Sequence, residues 1–174
     1  MIKGLKINFL LKLYQHMKSN LPQCILIIAI IALLNFKTTP VNAQDQMSAV
    51  RATVDKLFDG MRAGDSLMLQ SVFTKDCALT SISKNEADSL VVRTSSIQGF
   101  IKAVGTPHKE KWDEKIYDVK VSIDEPMAIV WAPYKFHLGE KFSHCGVNVF
   151  TLLHTKTGWK ITGITDTRRK EACP

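Results

Sequence analysis

From Gln46 to Met61 the apolar side chains fall at Met47, Val50, Val54, Leu57, Phe58 and Met61. Steps of three and four place them on one stripe of an amphipathic helix, with Arg51, Asp55, Asp59 and Arg62 off that stripe. Gly64 ends the helix, and Asp65 can cap a second, shorter one carrying Leu69, Val72 and Phe73. Residues 78–83 and 89–94 read as short strands around the polar turn Lys84-Asn85-Glu86. Ser95 or Ser96 caps a third helix whose Ile97, Phe100, Ile101 and Val104 share a face, and Gly105 and Pro107 stop it.

Beyond that point the period changes to two. Tyr117, Val119, Val121 and Ile123 alternate with Asp118, Lys120 and Ser122, which predicts a half-buried strand. Asp124-Glu125-Pro126 turns the chain into a second strand over 127–138. Pro133 has no N–H to give to a ladder, so a bulge or local edge is expected beside it. The turn Gly139-Glu140 leads to a strand over 142–154, and Thr157-Gly158 leads to the last, over 159–168. Helices first and four consecutive long strands afterwards predict an α+β domain, three N-terminal helices packed on one face of a strongly curved antiparallel sheet.

Composition changes this picture mainly at the N-terminus. With 174 residues, 45% of them apolar, the chain can build one packed core and is not a disordered segment. Its 23 Lys+Arg against 16 Asp+Glu give a net charge of +7, which at first suggests a nucleic-acid partner. Residues 1–43, however, hold Lys3, Lys6, Lys12, Lys18 and Lys37 with no carboxylate, leaving +2 for residues 44–174. The run ILIIAIIALL at 25–34 spans about 15 Å as a helix, short for a hydrocarbon core of about 30 Å. It suits a signal-peptide core, with Lys18 as its positive flank and Val41-Asn42-Ala43 as small-residue cleavage site before Gln44. The expected organisation is a signal peptide over 1–43, with Met17 a candidate start, and one domain over 44–174 exported to the periplasm or outside. The alternative is an uncleaved N-terminal helix that anchors the domain to the membrane.

Export sets the reading of the cysteines. With Cys24 in the leader, Cys77, Cys145 and Cys173 remain, an odd number for an oxidising compartment. A hairpin around Thr157-Gly158 brings Cys145 opposite about residue 170, so Cys145–Cys173 is the preferred pair; three unbonded thiols are the alternative.

The element order, with Ala63-Gly64-Asp65 between the first helices and Gly158-Trp159-Lys160-Ile161 opening the last strand, resembles the nuclear transport factor 2-like superfamily. That is the cone-shaped, cystatin-like α+β roll shared with SnoaL-type cyclases and ketosteroid isomerase, and the resemblance covers residues 46–170. Val130-Trp131-Ala132-Pro133-Tyr134, Ser143-His144-Cys145-Gly146-Val147-Asn148 and Thr165-Asp166-Thr167-Arg168-Arg169 are similar to a bacterial subfamily of lumazine-binding type. The resemblance implies a pocket at the open end of the cone. It also implies a homodimer formed through the open sheet face.

The candidates for chemistry lie on the expected lining strands. His144 titrates near neutral pH, and Asn148 on the same strand can orient a carbonyl or donate to an oxyanion. Tyr134 falls within one residue of facing His144 across the Gly139-Glu140 turn. Asp166 can act as a base if desolvation raises its pKa, or it pairs with Arg168 or Arg93. Trp131, Asn148, Arg93 and Arg168 are candidate ligand contacts, and Trp131 has rim packing as its plainer reading. No second carboxylate is expected on the lining strands, so the acid–base set of ketosteroid isomerase does not map in full. His137, His144 and Cys145 have no recurrent metal-ligand spacing, and no glycine-rich phosphate loop or other cofactor motif occurs, so neither metal nor cofactor is expected. Arg168-Arg169-Lys170 reads as a solvated end, and no nucleic-acid partner is expected. Three functions fit these residues: an exported domain binding a small, mostly apolar ligand, an isomerase, cyclase or dehydratase using His144, Tyr134 and Asp166, and a dimeric interaction module.

Overall fold

The computed structural model describes residues 42–174; the expected apolar leader core and the Met17 start lie outside the described residues. Helix α1 (Ala43–Ala63) is capped by the Asn42 side chain and buries Val50, Val54, Leu57, Phe58 and Met61, the stripe read from the sequence except for Met47, which stays exposed. Gly64 ends it at φ 65°, a left-handed conformation that glycine adopts at little cost. Asp65 then caps α2 (Ser66–Val72), its carboxylate accepting from the Leu67 and Met68 amides at 2.9 Å. Among the described residues no helix is long and apolar enough to cross a membrane.

Strand β1 (Phe73–Lys84) begins directly after α2, five residues earlier than expected, so Phe73 belongs to the sheet and not to the helix. A turn at Asn85–Ser89 leads to β2 (Leu90–Ser96), and Ser96 caps α3 (Ile97–Gly105) by accepting from the Gly99 amide at 3.0 Å. The sheet continues with β3 (Trp112–Ile116), β4 (Lys120–Asp124), β5 (Met127–Leu138), β6 (Lys141–Thr155) and β7 (Gly158–Arg168). Its order is β2-β1-β7-β6-β5-β3, with β4 also on β5. All pairings are antiparallel except β1 with β7.

Of the strand expected over 117–123 only the second half forms, as β4, while β3 lies before the expected range. Ile116 pairs with Tyr134 and Lys120 with Trp131, so residues 117–119 stand opposite only Ala132 and Pro133. The extra residue is a β-bulge facing the proline, with Asp118 at φ 42° and the Tyr117 amide bonded to the Pro133 carbonyl at 2.8 Å. The bulge moves the inward phase by one: Trp112 and Ile116 pack against the core before it, Val119, Val121 and Ile123 after it.

The core lies between the helices and the inner sheet face. Phe58 of α1 meets Phe150 of β6 edge to face at 6.0 Å, and Ala128, Val130, Ala132, Leu152 and Ile161 are closed off around them. The opposite face of β5 leaves Met127, Ile129 and Trp131 roughly half exposed, with Leu153 of β6 paired beside Met127. Cys145 and Cys173 are joined by a disulfide that closes a 28-residue separation, next to an isolated bridge between Cys145 and Arg169. Cys77 is buried, and burial pushes its thiol up to about 11.

Candidate functional site

A cavity of about 500 Å³ opens between α1, α3 and the inner faces of β1, β3, β5, β6 and β7. Its walls are apolar, built from residues such as Leu57, Met61, Leu79, Phe100, Phe150 and Ile164. Polar groups gather at one end, supplied by strand positions that the pleat turns inward. β6 contributes His144 and Asn148, β5 contributes Tyr134, β7 contributes Asp166 and Arg168, β1 contributes Ser81, and β3 contributes Glu114.

Asp166 is the centre of one network. Its carboxylate accepts from Ser81 Oγ at 2.6 Å, from Arg168 Nε at 2.7 Å and from the Tyr134 hydroxyl at 3.3 Å. Of the two expected ion pairs, the structure holds the one with Arg168; Arg93 lies exposed on β2 and does not line the cavity. Burial works against the Arg168 charge, but the hydrogen bond and charge of Asp166 outweigh it and raise the guanidinium above its ordinary value.

Tyr134 is buried, and its hydroxyl donates to the Thr167 carbonyl at 3.0 Å. Burial, followed by the charges of Asp166 and Glu114, pushes the phenol above its ordinary range. The Thr167 carbonyl reaches the tyrosine only because the β6–β7 ladder is interrupted between Asn148–Asp166 and Cys145–Arg169. There the Val147 amide donates to Thr167 Oγ1 instead, at 3.1 Å. Gly146 lies beneath the turned carbonyl, and a Cβ at that position would overlap the Thr167 oxygen.

His144 faces Phe136 in register and not Tyr134, because β5 and β6 slip by one residue between Phe136 and His137. Tyr134 is therefore two residues from the facing position, a diagonal neighbour with its ring edge-on to the imidazole at 5.7 Å. His144 Nδ1 is 3.0 Å from Ser143 Oγ. Burial first and the Arg168 charge second lower the imidazole pKa, against the opposing charge of Asp166, so His144 is neutral at neutral pH.

Glu114 is the residue that the sequence reading passed over, and it corrects the expectation that no second carboxylate lines the cavity. Its Oε1 accepts from Asn148 Nδ2 at 2.6 Å. Asn148 thus positions a carboxyl and does not point its amide at open space. Burial pushes the Glu114 carboxyl up to about 7, reinforced by Asp166 and opposed by Asn148 and Arg168. A carboxyl poised there can take or give a proton at neutral pH.

Trp131, a candidate ligand contact, sits on the opposite face of β5 from Tyr134, since its odd position alternates outward; it is 49% exposed and away from the cavity. Cys145 is held in its disulfide, and among the described residues no three His, Cys, Asp or Glu side chains are grouped to hold a metal.

A family model described as putative lumazine-binding matches residues 45–163. No curated protein matches the chain. Among solved structures, a nuclear transport factor 2-like protein of unknown function from Shewanella baltica is similar with a TM-score of 0.54 at 14% identity, covering 75% of this chain and 98% of its own. A putative dehydratase of the same fold family from Streptomyces avermitilis aligns with a TM-score of 0.57 at 14% identity, over 74% of this chain and 99% of its own. A putative Ca/calmodulin-dependent kinase II association domain from Exiguobacterium sibiricum aligns at 0.59 and 12% identity, over 75% and 97%. At these identities the likeness is one of fold.

Proposed function

The chain belongs to the putative lumazine-binding family, and from that premise we propose that it is an exported domain that holds a small, mostly apolar ligand in the cone cavity. The observation that carries this is the cavity itself, about 500 Å³ with apolar walls and polar groups gathered at one end. Sites for small molecules have that volume and that distribution, an apolar body for affinity and a few polar groups for orientation. The Cys145–Cys173 disulfide supports export, since such bonds persist in oxidising compartments. Native mass spectrometry of protein purified from its own cells is expected to release a retained small molecule on denaturation. A cavity that is empty there, and that takes up nothing from a fragment library by ligand-observed NMR, would remove the proposal. N-terminal sequencing of the exported form is expected to begin at Gln44.

A second reading is favoured by Glu114. With its carboxyl pushed up to about 7, beside Tyr134, His144 and Asp166, the same cavity can support proton-transfer chemistry of isomerase, cyclase or dehydratase type. In that reading Glu114 is the acid–base group, because its carboxyl, pushed up to about 7, can take or give a proton at neutral pH. A product forming from an enol-forming ketone in the presence of the wild-type chain, and not with Glu114→Gln, is the outcome this reading requires. The proposed macromolecular partner is a second copy of the chain. The roughly half-exposed Met127, Ile129, Trp131 and Leu153 on the outer sheet face support it. Sedimentation should then show a dimer that Trp131→Glu dissociates.

A further inference from the structure

The charges at the polar end of the cavity do not balance. Asp166 is matched by Arg168 and further held by Ser81 and Tyr134. The Arg168 guanidinium places two contacts on that one carboxylate, so its charge is matched. Glu114 has no such partner: among the described residues its side chain is bonded only by the neutral amide of Asn148. No lysine lines the cavity, and burial and the Arg168 charge bias His144 toward its neutral form. From α1, Arg62 bonds the main-chain carbonyl of Glu114 and forms its ion pairs with Asp59 and Asp113. From α3 the cavity wall is Gly99, Phe100 and Ala103, with Ser95 and Ser96 from the end of β2, and none of them is charged. An ionised Glu114 therefore leaves one negative charge in excess in an apolar enclosure, where Coulomb attraction is stronger than in water.

Resting on the proposal that the cavity is a ligand site, we infer that its ligand carries a cationic head, an amine or amidine on an apolar body, and that Glu114 receives it. An anionic head would meet Glu114 and Asp166 and could gain only from an arginine that is already paired. A neutral hydroxyl can bond Glu114 in either protonation state but adds no charge attraction. A cation does both, completing the hydrogen bonding of the carboxylate and cancelling its charge. Because the cation favours the ionised carboxylate, binding below pH 7 displaces the Glu114 proton, and affinity for the cation rises with pH across that range.

The test uses three probes with one body, 2-(1-naphthyl)ethylamine, the matching alcohol and the matching carboxylate, titrated into the full chain by naphthyl fluorescence at pH 8 and pH 5.5. The amine is expected to bind at least about 10-fold more tightly than the alcohol at pH 8, the ratio for one charge-assisted hydrogen bond. That advantage should shrink at pH 5.5. In Glu114→Gln it should vanish at both pH values while the alcohol still binds through the apolar walls and the glutamine amide, which also reports an intact cavity. Alcohol or carboxylate binding as tightly as the amine to the wild-type chain at pH 8 overturns the inference and leaves the ligand site standing. An amine preference that survives in Glu114→Gln overturns it too. Failure of all three probes to bind at either pH counts against the ligand site itself and takes the inference with it.

Discussion

Replacing Glu114 by Gln should make the protein more stable at pH 8 and no different at pH 4.5. The glutamine keeps the size of the side chain, and its carbonyl can accept the same 2.6 Å bond from Asn148. What it removes is the titration. In the folded chain the carboxyl ionises at about 7, and in the unfolded chain at the ordinary 4.5. The folded form therefore holds its proton more tightly. The stabilisation from that difference is complete below about 4.5 and is lost as pH rises through about 7. At 1.36 kcal/mol per pH unit the gap corresponds to about 3 kcal/mol, a ceiling because water entering the cavity mouth screens the charge. Gln mimics the protonated form at every pH, so the variant should gain up to that amount at pH 8, roughly 10 °C in Tm for a domain of this size. Urea denaturation of both proteins from pH 4.5 to 8 isolates the effect, since the other titrating groups are common to the two and cancel in the difference. Parallel stability curves over the whole range would refute the reasoning, because Glu114 would then ionise alike in both states.

Other substitutions test the frame around the site. Tyr134→Phe should cost about 1–2 kcal/mol, measured by urea denaturation, since it strands the Thr167 carbonyl that the hydroxyl satisfies. Gly146→Ala should cost at least about 3 kcal/mol, because the new Cβ meets backbone that cannot step aside without breaking β6–β7 pairing. Cys173→Ser should lower stability by about 3–4 kcal/mol for a loop of 28 residues, a difference that reductant abolishes. Ala103→Trp, an exposed position on the cavity wall, should block probe uptake while leaving Tm within about 2 °C.

The legible part of the molecule is the part governed by local periodicity. The stripe on α1, the stops and caps at Gly64, Asp65 and Ser96, and the β5, β6 and β7 strands could all be read because turn residues and alternation agree there. The parallel pairing of β1 with β7 was not legible, since it joins segments about 85 residues apart with no local signal. Glu114 was hidden for a sharper reason. Alternation carried back from Ile123 and Val121 assigns even positions outward, and only the bulge at 117–119 reverses the phase and turns Glu114 in. Pro133 announced a bulge nearby, and following that signal onto the partner strand would have exposed the second carboxylate. The facing of His144 was missed likewise, through a one-residue slip at Phe136/His137.

The interruption between β6 and β7 has a consequence for how this chain can diverge. Thr167 turns its carbonyl across position 146 to reach the Tyr134 hydroxyl, and its own hydroxyl takes the Val147 amide that the ladder gives up. Three residues on three strands are thus tied into one inheritable unit. A lineage that exchanges Tyr134 for phenylalanine loses the reason for the turned carbonyl, and selection for glycine at 146 relaxes with it. A lineage that keeps the tyrosine must keep the glycine. Descendants of this sequence should therefore lose or retain Tyr134, Gly146 and Thr167 together, even where the residues facing the cavity have been exchanged for a different ligand.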